Sequence, residues 1–320
     1  MRRMMNTLLL PLAISASVLL VAGCQSLTAL CPSERSCSFA VLADPRGGGE
    51  TWINALTEIR DMKATGDSTV AQAQLIVVAG DMDPIKSRHK DYLEVFADAD
   101  IRPVFLPVIG NHEFENGGTH FRYARDKLIP SIPNAMRRDA TACDYYLDHK
   151  HVRIIAIDAY TTLGKGGVIN DRGREWVEQV IEEAPSSIDH IFISFHEPAF
   201  PRFRHLRDSF NQKPEERNAF WRMLLKHKER VRAVLVGHTH TYYRMRILDP
   251  AGAEANNPKA FPDEDGGIYQ IDAGAAGNGA KNTIVQIQIN GKSVLFRVIQ
   301  ADRGADKQFK ETDRWSIVHH

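Results

Sequence analysis

Apolar runs along this chain repeatedly stop on a residue that can bind a cation or move a proton. SFAVLAD ends at Asp44, LIVVAGD at Asp81 and PVFLPVIGNHE at Asn111, His112 and Glu113. IFISFHEP reaches His196, and VLVGHTH closes on His238 and His240. Runs this short and this apolar read as buried strands, over residues 38–43, 74–79, 104–109, 190–195 and 231–236. Between them lie stretches of helical period. Residues 50–65 carry Trp52, Ile53, Leu56 and Ile59 on one face, and 90–97 carry Tyr92, Leu93 and Phe96. Residues 171–183 do the same with Trp176, Val177, Val180 and Ile181, and 215–228 also read as helix. A hairpin is expected over 145–147 and 152–157, around Asp148-His149-Lys150.

After His240 the pattern changes to strands joined by turns: 242–248, 268–272, 283–289 and 293–299, with Asn290-Gly291 as a hairpin turn. Residues 249–266 are rich in Pro, Gly, Ala and Asp and read as a long loop. Residues 198–213 are basic, aromatic and irregular, and are expected as a loop over the site. Alternating strands and helices imply an α/β chain whose strands are covered on both sides. In such sheets ligands collect beyond the carboxyl ends of the strands, where all five polar ends fall. No internal repeat or linker interrupts residues 38–302, which read as one domain. Residues 303–320 are polar and are expected as a loosely held tail.

Composition narrows the function classes. The chain has 320 residues, of which 43% are hydrophobic, enough for a large core. Lys+Arg 40 balances Asp+Glu 40, so no specific nucleic-acid binding is expected. The N-terminus stands apart from the fold. Met1-Arg2-Arg3 precedes an apolar stretch, 7–21, that Pro11 interrupts. Val21-Ala22-Gly23-Cys24 resembles the lipobox of bacterial lipoproteins, against the alternative of a single membrane-spanning helix. That resemblance implies a signal peptide over 1–23, acylation of Cys24 and a tether over 24–37. Gln25 after the cysteine implies an outer-membrane location facing the periplasm. In that oxidising compartment one disulfide is expected among Cys31, Cys37 and Cys143, either Cys31–Cys37 or Cys37–Cys143.

Oxygen ligands combined with imidazoles suit borderline first-row divalent metals, and such a centre attracts an anionic substrate. Taken in order, Asp44-Pro-Arg46, Gly80-Asp81-Met-Asp83, Gly110-Asn111-His112-Glu113, His196 and Gly237-His238-Thr-His240 resemble the calcineurin-like metallophosphoesterases. That family's pattern is DxH, GDxxD, GNHE, H and GHxH. The flanks Tyr145-Tyr146, Ile155-Ala-Ile-Asp158 and Thr241-Tyr242-Tyr243-Arg244 are similar to its purple-acid-phosphatase-like branch. The resemblance implies a two-sheet β-sandwich core flanked by helices and two divalent ions (Fe, Mn or Zn). Asp44, Asp81 and His240 would hold one ion. Asp81, Asn111, His196 and His238 would hold the other, with Asp81 bridging. His112 would stabilise the transition state or protonate the leaving oxygen of a small phosphorylated substrate.

One position departs from the family. Arg46 stands where the first motif expects a histidine, and a guanidinium has no lone pair for a metal. Pro84 stands where the purple-acid-phosphatase branch carries a compensating tyrosine. Water or another side chain could complete the first site. Arg46 could instead grip the substrate phosphate, or the first site could be empty. The plain structural reading of Arg46 is a salt bridge to Asp44 or Glu50. Asp83, Glu113 and Glu197 are expected to orient ligands, and Tyr242 and Tyr243 to line the cleft or pack. The chain therefore reads as a metal-dependent phosphoester hydrolase anchored to a membrane through Cys24. The alternative is a lipid-anchored binding protein that keeps the fold and has lost turnover.

Overall fold

The computed structural model describes residues 35–62, 72–252 and 267–318. The expected signal peptide over 1–23, Cys24 and Cys31 lie outside the described residues. Parallel strands β1 (Ser36–Leu42), β2 (Leu75–Val78) and β3 (Val104–Pro107) alternate with helices α1 (Gly49–Asp61) and α2 (Ile85–Val95). A kinked α3 (Glu115–Tyr123) leads to the short β4 (Met136–Arg137) and the hairpin β5 (Tyr145–His149) and β6 (Val152–Ala156). A small ribbon, β7 (Gly164–Lys165) with β8 (Val168–Ile169), precedes α4 (Asp171–Glu182) and β9 (His190–Ser194). Then come α5 (Pro214–Lys226), β10 (Val231–Val236), β11 (Tyr242–Ile247) and β12 (Ile268–Ala273). The last strands are β13 (Lys281–Asn290), β14 (Ser293–Asp302) and β15 (Lys310–Val318).

Two large sheets result, in the orders β15-β14-β13-β1-β2-β3 and β11-β12-β10-β9-β6-β5-β4. Their buried side chains interlock: the Phe39 ring of the first sheet meets Phe192 of the second edge-on at 5.0 Å. One apolar cluster joins both sheets with α1 and α2, and a second packs α4 and α5 on the other sheet. The chain is thus the α/β two-sheet core with flanking helices that the sequence implied. Parallel register aligns the exits of β1, β2 and β3, with Leu42 beside Val78 and Val78 beside Pro107. In the other sheet β9, β10 and β12 are also parallel, with Leu235 beside Ser194 and Val236 beside Asp272.

Some expectations fail. Ile53 and Leu93 are exposed although their helices are amphipathic as expected. Each follows a buried aromatic, Trp52 or Tyr92, and one residue turns a helix by about 100° away from the core. Residues 303–320 are not a loose tail, because β15 pairs antiparallel with β14. Trp315 opposes Phe296 in that register, and their rings stack at 4.7 Å. The strand looked like tail because it is an edge strand, with charged Lys310, Glu311 and Arg314 facing solvent. Residues Ser36 and Cys37 belong to β1 rather than to a tether. Cys37 and Cys143 are both buried and free, so that pairing does not form. Cys37 lies in the first sheet opposite Ile289, whereas Cys143 precedes the hairpin of the second. Burial pushes the Cys37 thiol up to about 12 and that of Cys143 higher still.

Candidate metal centre

The polar strand ends converge where the two sheets meet. Asp44 follows β1, Asp81 follows β2, and Asn111 opens a short 3-10 turn after β3. His196 follows β9, and His238 and His240 follow β10. Asp44, Asp81, His238 and His240 all have left-handed backbone, with φ of 50°, 57°, 72° and 55°. Non-glycine residues seldom sit there, and such strain is held only where surrounding structure enforces it. The turn swings each side chain off its strand and into the shared space. Gly80, at φ 91°, lets the chain pass the His196 ring, since a Cβ there would lie 2.3 Å from its Nδ1. A Cβ on Gly110 would meet Asp81 Oδ1 at 2.4 Å.

Asp44, Asp81 and His196 are buried and can bring ligand atoms within 4.8 Å of one another. His196 Nε2 lies 3.3 Å from Asp81 Oδ1 and 3.3 Å from His238 Nδ1. His240 Nε2 lies 3.3 Å from Asp44 Oδ1, while Asp44 Oδ2 accepts the His238 backbone N–H at 2.9 Å. Asn111 Oδ1 and Asp44 Oδ1 are buried without a hydrogen-bond partner. Backbone carbonyls lie behind the three rings. His196 Nδ1–H donates to the Ala79 carbonyl at 2.7 Å, and His240 Nδ1 faces that of Asn278 at 3.0 Å. His238 Nε2 faces the Asp208 carbonyl at 3.3 Å. Each ring thereby turns its other nitrogen toward the shared space, where it can offer a lone pair to a cation that displaces a proton. Orphaned oxygens and lone pairs aimed at one space are a donor set that fits divalent cations.

Electrostatics point the same way. Burial works to raise the Asp81 pKa, but His196 and His112 bring it well below the carboxylate range. Burial works against charge on His196, yet Asp81 and Asp44 push its pKa well above the usual value. Burial, then His196 and His205, force that of His238 down to about 2. A buried proton or a buried cation can neutralise these carboxylates.

The neighbours of this cluster divide into supports and reachable groups. Glu113 is fully buried and accepts the backbone N–H groups of Asp81, Met82 and Gly110 at 3.0, 2.7 and 2.6 Å. It therefore fixes the turn that carries Asp81. Burial and the Asp81 charge push its pKa up to about 8. Glu197 accepts the Tyr160 hydroxyl at 2.8 Å, and burial pushes its pKa up to about 7. His112 donates its backbone N–H to Asp81 Oδ1 at 3.1 Å, and its Nε2 lies 3.6 Å from Asp81 Oδ2. Arg46 makes neither expected salt bridge, to Asp44 or Glu50. Its Nε pairs with Asp83 at 3.0 Å and its Nη1 meets His112 Nε2 at 2.6 Å. The basic loop reaches the centre through Arg204, 3.0 Å from His240, and His205, whose ring lies 4.0 Å from that of His238. Tyr242 and Tyr243 flank it, with hydroxyls bonded to Asp313 and to the Phe200 carbonyl.

Sequence reasoning passed over Asp272, and took Arg202, Arg204, His205 and Arg207 for a solvated basic loop in preference to one facing an anionic substrate or membrane phosphates. Asp272 is fully buried, accepts the Thr239 hydroxyl at 2.7 Å and so braces the turn between His238 and His240. Its signal was present, since it too ends an apolar run. The place of His205 over His238 was not readable, because it depends on an irregular loop.

The model of the calcineurin-like phosphoesterases matches residues 38–242. The chain belongs to that family. Membership implies a dimetal centre, and the ligand-type groups for one stand at these strand ends. The fold is similar to that of a purple acid phosphatase from yellow lupin (Lupinus luteus) seeds, with a TM-score of 0.61 and 14% identity. That match covers 88% of this chain and 54% of the lupin protein, so this chain spans about half the lupin protein's length. It is also similar to PhoD (TM-score 0.58, 10% identity, 89% and 70% covered). A dimetal phosphatase from Danio rerio gives 0.55 at 14% identity, with 89% and 99% covered. No curated protein sequence matches the chain significantly.

Proposed function

We propose that this chain is a metal-dependent phosphoester hydrolase. Asp44, Asp81 and His240 would hold one divalent ion, and Asp81, Asn111, His196 and His238 a second. The observation that carries this reading is the meeting of the buried Asp44 and Asp81 carboxylates with the imidazole nitrogens of His196, His238 and His240, beside a buried Asn111 oxygen that has no hydrogen-bond partner. Divalent ions bound there would neutralise a phosphoryl group and acidify water enough to give a nucleophile at neutral pH. The protein's own part is positional. Glu113 and Asp272 hold the turns that aim the ligands, and the Ala79 carbonyl holds His196 in the orientation that offers Nε2. His112 stands beside Asp81 with its side chain 21% exposed and Nε2 against Arg46, so the ring can reach the leaving oxygen once a substrate draws that guanidinium away. Glu115 lies against its Nδ1 and helps to orient the ring.

Hydrolysis of a phosphomonoester and a phosphodiester model compound, with Fe, Mn or Zn added to metal-stripped protein, tests the assignment. Activity on either that depends on metal is expected; none on both sinks the reading. Arg46 favours a second reading, an anchored binding protein without turnover, because the first ligand set then has three protein groups. Elemental analysis separates the two: the hydrolase retains close to two metals per chain and the binding protein clearly less than one.

The lipobox-like Val21-Ala22-Gly23-Cys24 supports acylation and an outer-membrane position facing the periplasm. Among the described residues no helix is long and apolar enough to cross a membrane. Mass spectrometry of the mature N-terminus, comparing wild type with Cys24→Ser, checks this. An unprocessed wild-type chain would refute it.

A further inference from the structure

Where the family's first motif places an imidazole ligand, this chain carries a guanidinium. The structure gives that guanidinium a defined seat. Arg46 Nε pairs with Asp83 Oδ1 at 3.0 Å, Nη1 contacts His112 Nε2 at 2.6 Å, and Nη2 stands 3.7 Å from Glu115 Oε2. A guanidinium can only donate, so His112 Nε2 is the acceptor and the ring proton sits on Nδ1, against Glu115. His112 Nε2 is in turn 3.6 Å from the Asp81 carboxylate, which puts Arg46 one residue away from the ligand cluster. The Arg46 side chain is 27% exposed, so an incoming anion can reach it.

We propose that Arg46 is a substrate-binding residue of this centre, receiving a phosphoryl oxygen, and that Asp83 is the positioning residue that holds it ready. The proposal rests on the phosphoesterase reading above. Asp83 forms an ion pair on the Nε side and His112 accepts from Nη1, while Nη2 has the longer ion-pair contact to Glu115. A phosphoryl group is the partner that suits such a fork, since paired N–H donors match two oxygens at once. An oxygen that draws Nη1 to itself also releases His112 Nε2 from its role as acceptor. Substrate binding and the availability of His112 are thereby linked in one contact. A charge that would have come from a better-furnished first metal site comes here from a side chain that never loses its proton.

The test uses full-length, metal-loaded protein and two readouts besides turnover: affinity for inorganic phosphate by calorimetry and metal content by elemental analysis. Arg46→Ala is expected to weaken phosphate binding by about tenfold or more at unchanged metal content. Arg46→Lys keeps the charge and loses the fork, and falls between the two. Asp83→Asn is expected to raise KM with kcat little changed, because the guanidinium is present and less well aimed. Phosphate affinity in Arg46→Ala equal to wild type would overturn the proposal and leave Arg46 a surface ion pair. Loss of metal in Arg46→Ala would overturn it too, by showing that the residue acts through the ligands. If wild-type protein loaded with metal neither binds phosphate nor hydrolyses any ester, the phosphoesterase reading itself has failed.

Discussion

At the scale of single residues, the centre depends on contacts that leave no room for substitution. Gly80 combines positive φ with a His196 ring against the position of its missing Cβ. Gly80→Ala should cost about 2–4 kcal/mol and displace His196, read as a lower denaturation midpoint and lost metal. Glu113 is a second such point. Glu113→Ala leaves three buried N–H groups without acceptors, each worth about 1–3 kcal/mol, so little folded protein is expected. Glu113→Gln keeps an acceptor oxygen and should lose less. His112 gives a different signature, since it stands beside Asp81 and is absent from both proposed ligand sets. His112→Asn should lower kcat by about a hundredfold or more at full metal content. A full-activity His112→Asn would remove it from the mechanism. The two closing histidines should also part company. His238→Ala empties the better-furnished ligand set, whereas His240→Ala reduces metal content only if the Asp44 set is filled.

At the scale of elements, β15 joins parts that the sequence keeps far apart. Asp313 accepts the Tyr242 hydroxyl at 2.6 Å and pairs with Arg244 at 2.8 Å, so the edge of one sheet is bound to the edge of the other. Trp315 lies between the Phe296 ring and the Arg244 guanidinium, 4.2 Å from its face. Trp315→Ala should therefore cost about 3–5 kcal/mol, measured by denaturant unfolding. A change below about 1 kcal/mol would mean that the strand is peripheral after all. None of this was legible from residues 303–320. Strands with both faces buried announce themselves as apolar runs, and β1, β2, β9 and β10 were placed within a residue or two. An edge strand with one buried Trp looks polar, and its partners are chosen by tertiary packing. The centre divides the same way. Its ligand-type residues were readable because each ends an apolar run, but the seat of Arg46 was not, since Asp83 and Glu115 approach it from separate turns.

At the scale of the whole molecule, the two ends of the sheets carry different titrations. The ligand cluster occupies one end, and His190 sits at the other, fully buried at the start of β9. Its Nε2 faces the Gly291 carbonyl at 2.8 Å, and its Nδ1 accepts from Arg232 Nε at 2.9 Å. Both nitrogens are thus committed to the neutral ring, with His151 packed edge-on and Asp189 nearby. Burial is the largest cause of a pKa pushed down to about 4. In the unfolded chain the same ring titrates near 6.5. Between those values the unfolded state binds the extra proton, so stability contributed by the neutral ring is complete above about 6.5 and is lost as pH falls toward 4. The loss should amount to about 2–3 kcal/mol. His190→Gln removes the titration, and its unfolding free energy should fall less steeply than that of wild type from pH 6.5 to 4. Metal release could produce a similar slope in wild type, because protons compete for the imidazole ligands. The comparison is therefore made on chelated protein as well as on metal-loaded protein. A difference between wild type and His190→Gln that persists without metal belongs to His190; one that disappears with chelation assigns the acid sensitivity to the metal centre instead.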